Sequence, residues 1–98
     1  MSADRPASAA PPAAPGRIPL SGCIIAYNEA DRIGDCVASL AFCDEVVVVD
    51  SGSTDGTREV AEAMGARVLV RRFDGFRSQK QFAVDQCAHD WVLSLDAD

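Results

Sequence analysis

"EVVVVD" (residues 45–50) sets the fold. Four valines in succession favour an extended chain over a helix, because each is branched at Cβ and restricted at χ1. No polar residue alternates with them, so the predicted strand is covered on both faces, as in the middle of a parallel sheet. Working outward, "CIIA" (23–26) is a second short apolar run. Between the two, Ala30, Ile33, Val37, Leu40 and Ala41 recur at the spacing of an amphipathic helix. Beyond Asp50 the spacing predicts a helix over about 55–64, capped by Ser53 or Thr54 and closed at Gly65. A third strand follows at "ARVLV" (66–70). A third helix carries Phe76, Ala83, Val84 and Cys87 on one face, and "WVLSL" (91–95) is a fourth strand. Trp91 and Phe82 are expected in the core. Strand and helix alternate throughout, which predicts an α/β fold with a Rossmann-like parallel sheet.

Composition divides the chain. All 5 prolines lie within residues 1–19, where Ala, Pro, Ser and Gly dominate. Such a segment buries too little surface to offset its ordering entropy, so an extended or disordered tail is expected there and a single domain over 20–98. The tail has no continuous apolar stretch of signal-peptide type, and no run is long enough to span a bilayer. Cys23, Cys36, Cys43 and Cys87 show no C-x-x-C pair and no zinc-finger spacing, so reduced thiols and a cytoplasmic setting are expected. A net charge of −6 excludes a nucleic-acid binder working by phosphate neutralisation. It leaves room for an anionic ligand if a divalent cation stands between the two.

Ligands of open parallel sheets bind at the carboxyl ends of the strands, where strand order reverses. With an order of 3-2-1-4, the residues just past strands 1, 2 and 4 meet along one rim: Tyr27, Asn28 and Glu29, then Asp50 and Ser51, then Asp96 and Asp98. Asp96 and Asp98 stand at i and i+2 after an apolar strand. In extended geometry they point the same way, with Cα atoms roughly 6.5 Å apart. Two carboxylates so placed suit Mg²⁺ or Mn²⁺, hard cations that share their shell with substrate phosphates. A solvated turn containing two aspartates is the plain alternative. Residues 50–57, "DSGSTDGT", fit neither a Walker loop nor a dinucleotide fingerprint, and read equally as a turn with a helix cap or as a ligand loop. Arg71, Arg72, Arg77 and Lys80 hold most of the positive charge of an acidic domain. They form either a solvated face or an approach to a diphosphate. His89 is the one histidine, so no Ser-His-Asp triad has support.

"IIAYNEADRI", "VVVVDSGSTDGT", "GFRSQKQFA" and "DWVLSLDAD", in this order and spacing, resemble the nucleotide-sugar-binding half of family 2 glycosyltransferases of the GT-A fold. The resemblance covers about residues 20–98. The D-S-G-S-T-D and Q-K-Q-F-A stretches look most like the bacterial lipopolysaccharide-core enzymes, and among those like β-1,4-glucosyltransferases. The resemblance implies a UDP-sugar donor, UDP-glucose above all, a glycan or lipid-linked acceptor, and membrane contact that is peripheral at most, at the inner membrane. It implies substrate contacts at Tyr27, Asn28, Glu29, Asp50, Lys80 and Asp96, with Asp98 and Asp96 on Mg²⁺ or Mn²⁺. Members invert at the anomeric carbon with a carboxylate base that lies well downstream of the D-x-D aspartates. No catalytic base is therefore assigned within residues 1–98, and the 98-residue chain is expected to be a fragment, inactive alone. A nucleotide-binding module without transfer activity is the alternative. A D-x-D phosphotransferase is disfavoured, because its aspartates follow the first strand and not the fourth.

Overall fold

The computed structural model describes residues 18–96. The Ala/Pro-rich tail up to Arg17, and Asp98, lie outside the described residues. Seven elements alternate: β1 (Leu20–Ala26), α1 (Ala30–Ser39), β2 (Glu45–Asp50), α2 (Thr57–Ala63), β3 (Arg67–Val70), α3 (Phe76–Asp85) and β4 (Trp91–Asp96). The four strands form one parallel sheet in the order β3-β2-β1-β4. The expected α/β fold and strand order are both present.

The valine run explains the centre. Val47, Val48 and Val49 are fully buried, and alternate residues feed two separate cores. On one face Ile24, Ala26 and Val48 pack against Ile33, Val37 and Leu40 from α1 and its flank, and Ala61 of α2. On the other, Cys23, Val47 and Val49 meet Ala83 of α3, with Phe82, Cys87 and Val92 half-buried around them. Full burial of an Ile, Leu or Val side chain stabilises by about 1.5–3 kcal/mol. Two thin layers of this kind hold the sheet between its helices.

Gly22 shows how closely α1 approaches. A methyl group on it would stand 2.8 Å from Leu40 Cδ1 and 3.2 Å from Cys43 Sγ. Gly22→Ala is expected to destabilise by about 1–3 kcal/mol through this overpacking, measured as a lowered urea midpoint at constant slope.

Three local expectations need correction. Neither Ser53 nor Thr54 caps α2. The helix begins at Thr57 after Gly56, and Asp55 Oδ1 accepts the Thr57 N–H at 3.0 Å. Trp91 is 62% exposed, not core. It lies on β4, whose described strand partner is β1 alone, while α1 and α2 pack over β1 and β3. Phe76 is 67% exposed. It shares a helical face with Ala83, but as the first residue of α3 it lines a cleft with residues at the carboxyl ends of the strands. Among the described residues, no helix is long and apolar enough to cross a membrane.

Candidate functional site

The sheet gathers its carboxyl ends along one rim. Asp50 pairs in register with Ala26, and Asp96 with Ile25. The two acids therefore end the strands on either side of β1, one residue out of step. Asp50 continues the row of Ala26 and Val48, towards α1 and α2. Asp96 continues the row of Ile25, towards α3. They reach the same rim from opposite faces of the sheet.

Asp50 is fully buried and its carboxylate is spent within its own loop. Oδ2 accepts the Gly52 N–H at 2.9 Å and the Ser53 N–H at 2.7 Å, and Oδ1 accepts the Ser53 hydroxyl. Gly52 turns the chain at φ 103°, a backbone conformation that glycine adopts without strain. The rest of the loop then clasps the segment after β1. Ser53 Oγ accepts the Asn28 N–H at 2.7 Å, Thr57 Oγ1 the Glu29 N–H at 2.9 Å, and Asp55 Oδ2 the Ala30 N–H at 3.2 Å. Asn28 answers in reverse, its Oδ1 accepting the Thr54 N–H at 2.8 Å. This clasp holds Asn28 at φ 52°, a left-handed conformation that asparagine tolerates better than most side chains. The Thr57 hydroxyl donates to Asp55, and that hydrogen bond is the largest cause holding the Asp55 carboxyl below its ordinary range. Among the described residues these polar side chains make a turn and the hydrogen bonds that tie it to the segment after β1.

The clasp leaves a cleft of about 470 Å³, lined by Ile25, Ala26, Tyr27, Glu29, Ser51, Phe73, Phe76 and Asp96. That is the size of a small-molecule site. Tyr27 is 55% exposed there. Phe73 and Phe76 meet edge to face, 5.1 Å between centroids, at the turn before α3. Of the residues the sequence assigns to the site, Tyr27, Glu29 and Asp96 line the cleft. Asn28 and Asp50 build its frame, and Asp98 is outside the described residues. Lys80 stands 3.8 Å from Asp96, both side chains about half exposed, a spacing that contributes at most about 1 kcal/mol in water.

Sequence reasoning missed Phe73, the place of Phe76 in the cleft, and Gln79, whereas Ser51, named at the rim, does line it. The basic segment also resolves into separate roles. Arg71 bridges Asp74 at 3.1 Å, donates to Gln79 Oε1 at 2.9 Å and to Ser78 Oγ at 3.1 Å, and lies 5.0 Å over the Phe82 ring. The Asp74 carboxyl is held below its usual range by the Ser78 hydroxyl first and by Arg71 second. Arg71 is thus a strut of the β3–α3 turn, while Lys80 faces the cleft's acidic corner. The glycine at position 75, which takes φ 135° in the structure, was the available sequence signal that this turn is sharply set.

Residues 21–98 match the family model for glycosyl transferase family 2. The chain belongs to glycosyl transferase family 2. Relatives of this family 2 chain include the lipopolysaccharide core biosynthesis glycosyltransferase LpsC of Rhizobium meliloti (strain 1021), 41% identical over 84% of the chain and 32% of the relative. An uncharacterized glycosyltransferase of Rickettsia felis is 48% identical over 81% of the chain and 28% of its own length. The chain thus spans about a third of the curated relatives it matches. Among solved structures, mannosyl-3-phosphoglycerate synthase from Rubrobacter xylanophilus superposes with a TM-score of 0.74 at 27% identity, over 83% of the chain and 31% of that protein. Glucosyl-3-phosphoglycerate synthase from Mycobacterium tuberculosis, in complex with Mn²⁺, UDP and glucosyl-3-phosphoglycerate, gives 0.71 at 30% identity, over 85% and 34%. The four-stranded parallel sheet matches the Rossmann-like GT-A fold of those neighbours.

A divalent cation is compatible with this family 2 cleft. No group of three acidic, histidine or cysteine side chains converges among the described residues. Mg²⁺ and Mn²⁺ sites of the nucleotide type need only one or two carboxylates, the phosphates and water completing the shell. Asp96, a hard oxygen donor half-exposed at the cleft, meets that requirement.

Proposed function

We propose that residues 20–98 form the nucleotide-sugar-binding portion of an inverting, divalent-metal-dependent glycosyltransferase of lipopolysaccharide-core or other cell-envelope glycan synthesis. The donor is a UDP-sugar, UDP-glucose in the first instance, and the acceptor is a glycan or lipid-linked glycan. One observation carries the reading: a family 2 chain whose sheet rim opens into a cleft between Tyr27, Ser51, Phe73, Phe76 and Asp96. The Mn²⁺ and UDP complex of the mycobacterial neighbour and the name of the rhizobial relative support the choice of ligand and pathway class.

In this reading Tyr27 supplies an apolar face to the base, and Glu29 and Asp96 offer acceptors to ribose hydroxyls. Asp50 acts by framing the loop beside the base. Lys80, next to Asp96, places a positive charge near the diphosphate. Asp98 and Asp96 would hold the cation. A bound Mg²⁺ or Mn²⁺ supplies charge stabilisation to the departing nucleoside diphosphate.

UDP with Mn²⁺ is expected to raise the melting temperature of the purified chain. At a hundredfold excess over Kd the stabilisation is about 2.7 kcal/mol, or roughly 10–20 °C for a domain of this size. A melting curve indifferent to UDP and Mn²⁺ at millimolar concentrations rejects the assignment.

A further inference from the structure

Gln79 is a fully buried polar side chain on α3 with no place in the cleft lining. Its amide can sit only one way round. Arg71 is a pure donor and gives its Nη1 proton to Oε1 at 2.9 Å, so the oxygen must face the guanidinium. The amide nitrogen then faces the other way, where Nε2 donates to the Arg71 carbonyl at 3.2 Å and to Ser51 Oγ at 3.3 Å. Arg71 is itself pinned by Asp74, Ser78 and the Phe82 ring, so the amide has no freedom to flip. The consequence falls on Ser51. Its oxygen receives the Gln79 proton, and its own proton must go elsewhere. No acceptor among the described residues takes it, and Ser51 lines the cleft.

We infer that Gln79 is a positioning residue that orients the Ser51 hydroxyl so that its proton is given to an oxygen acceptor of the bound nucleotide, a base carbonyl or a phosphate oxygen. The inference rests on the donor-site reading above and adds to it how that site discriminates. Gln79 takes one of the two acceptor positions on the Ser51 oxygen, so the Ser51 proton is left for a ligand oxygen at this point. The relay begins at Arg71, which explains why a cation so near the cleft is turned away from it.

The test is calorimetric titration of the 98-residue chain in Mn²⁺ buffer with UDP, uridine and inorganic pyrophosphate. Ser51→Ala is expected to weaken UDP binding about 3- to 10-fold, the worth of one neutral hydrogen bond. Gln79→Glu keeps the size of the side chain and its pairing with Arg71. A carboxylate only accepts, so it draws the Ser51 proton to itself, and a similar loss is expected. The Ser51→Ala/Gln79→Glu double variant should bind no more weakly than Ser51→Ala, and Ser51→Thr should retain affinity. A loss confined to uridine and UDP places the acceptor on the base; one confined to pyrophosphate and UDP places it on the phosphates. Additive losses, or lower melting temperatures with unchanged affinity, would reduce Gln79 to a structural role and overturn the inference. Should Gln79→Glu fail to fold, exchange of the Gln79 side-chain amide protons decides: it should quicken in Ser51→Ala, and an unchanged rate overturns the relay. Uptake of UDP untouched by either substitution sinks this inference alone, whereas no uptake by the unaltered chain removes the donor-site reading and the inference with it.

Discussion

Replacing Asp50 by alanine is expected to destabilise the chain by about 3 kcal/mol or more, and to abolish nucleotide binding in whatever remains folded. The carboxylate is fully buried and accepts three hydrogen bonds, from Gly52 N–H, Ser53 N–H and the Ser53 hydroxyl. Hydrogen bonds to an ionised group contribute about 1.5–3 kcal/mol each, and removing the acceptor leaves its donors buried without partners. A small domain has a total stability of only about 5–15 kcal/mol, so this is a large fraction of it. The damage also spreads. Ser53 gives its proton to Asp50 and receives the Asn28 N–H, so losing Asp50 loosens the segment that presents Tyr27. Asp50→Asn keeps an acceptor oxygen for the loop and should fall between. Urea unfolding of the three chains, at matched slopes, gives the order. Equal midpoints for Asp50 and Asp50→Ala would mean that the loop does not depend on this carboxylate.

The second large effect belongs to the aspartates after β4. UDP carries a diphosphate into a cleft already lined by Glu29 and Asp96, in a chain of net charge −6. Without a cation, like charges oppose its entry, and Lys80 alone, half-exposed and paired with Asp96, is screened by water. Asp98→Ala is expected to lower Mn²⁺-dependent UDP affinity by about 100-fold, near the upper end of what altering metal-site residues costs. Asp96→Ala should do likewise while leaving the apo fold nearly intact, since the pairing it removes is a partly exposed one. Uridine supplies the control. It lacks the diphosphate, so its weaker binding should be the same with Mn²⁺ or with chelator. Calorimetry in which UDP affinity ignores both chelator and Asp98→Ala would leave the cation without a role in donor binding.

Much of the fold was legible because the signals are local. Val46 to Val49 are β-branched, Ile33, Val37 and Leu40 fall on one helical stripe, and Gly65 ends α2 at φ 96°. These are preferences of a few neighbouring residues, and the strand β2 matches the predicted 45–50 span. The site was legible less evenly. Tyr27, Glu29 and Asp96 were found because each directly follows or ends a strand. Phe76 was not, since an aromatic residue on a helical pattern reads as core, and Phe73, in the loop before α3, carries no periodic signal. Only its place at the start of α3, beside the cleft, leaves Phe76 exposed. Trp91 misled for the opposite reason, being apolar in an apolar strand that has a described strand partner on one side only.

The sequence by itself determined the alternation of strands and helices, the two-sided burial of β2 and the carboxylates that end β2 and β4, since backbone preference and hydrophobic period act over a few residues. Tertiary structure alone decided which of those polar groups face a ligand. Asp50 and Asn28 turn inward and Ser51 outward through bonds to residues as far as 28 positions away, such as that from Gln79. A hydrogen bond between distant segments leaves no periodic trace in either one, so only the packed sheet and its helices could assign them.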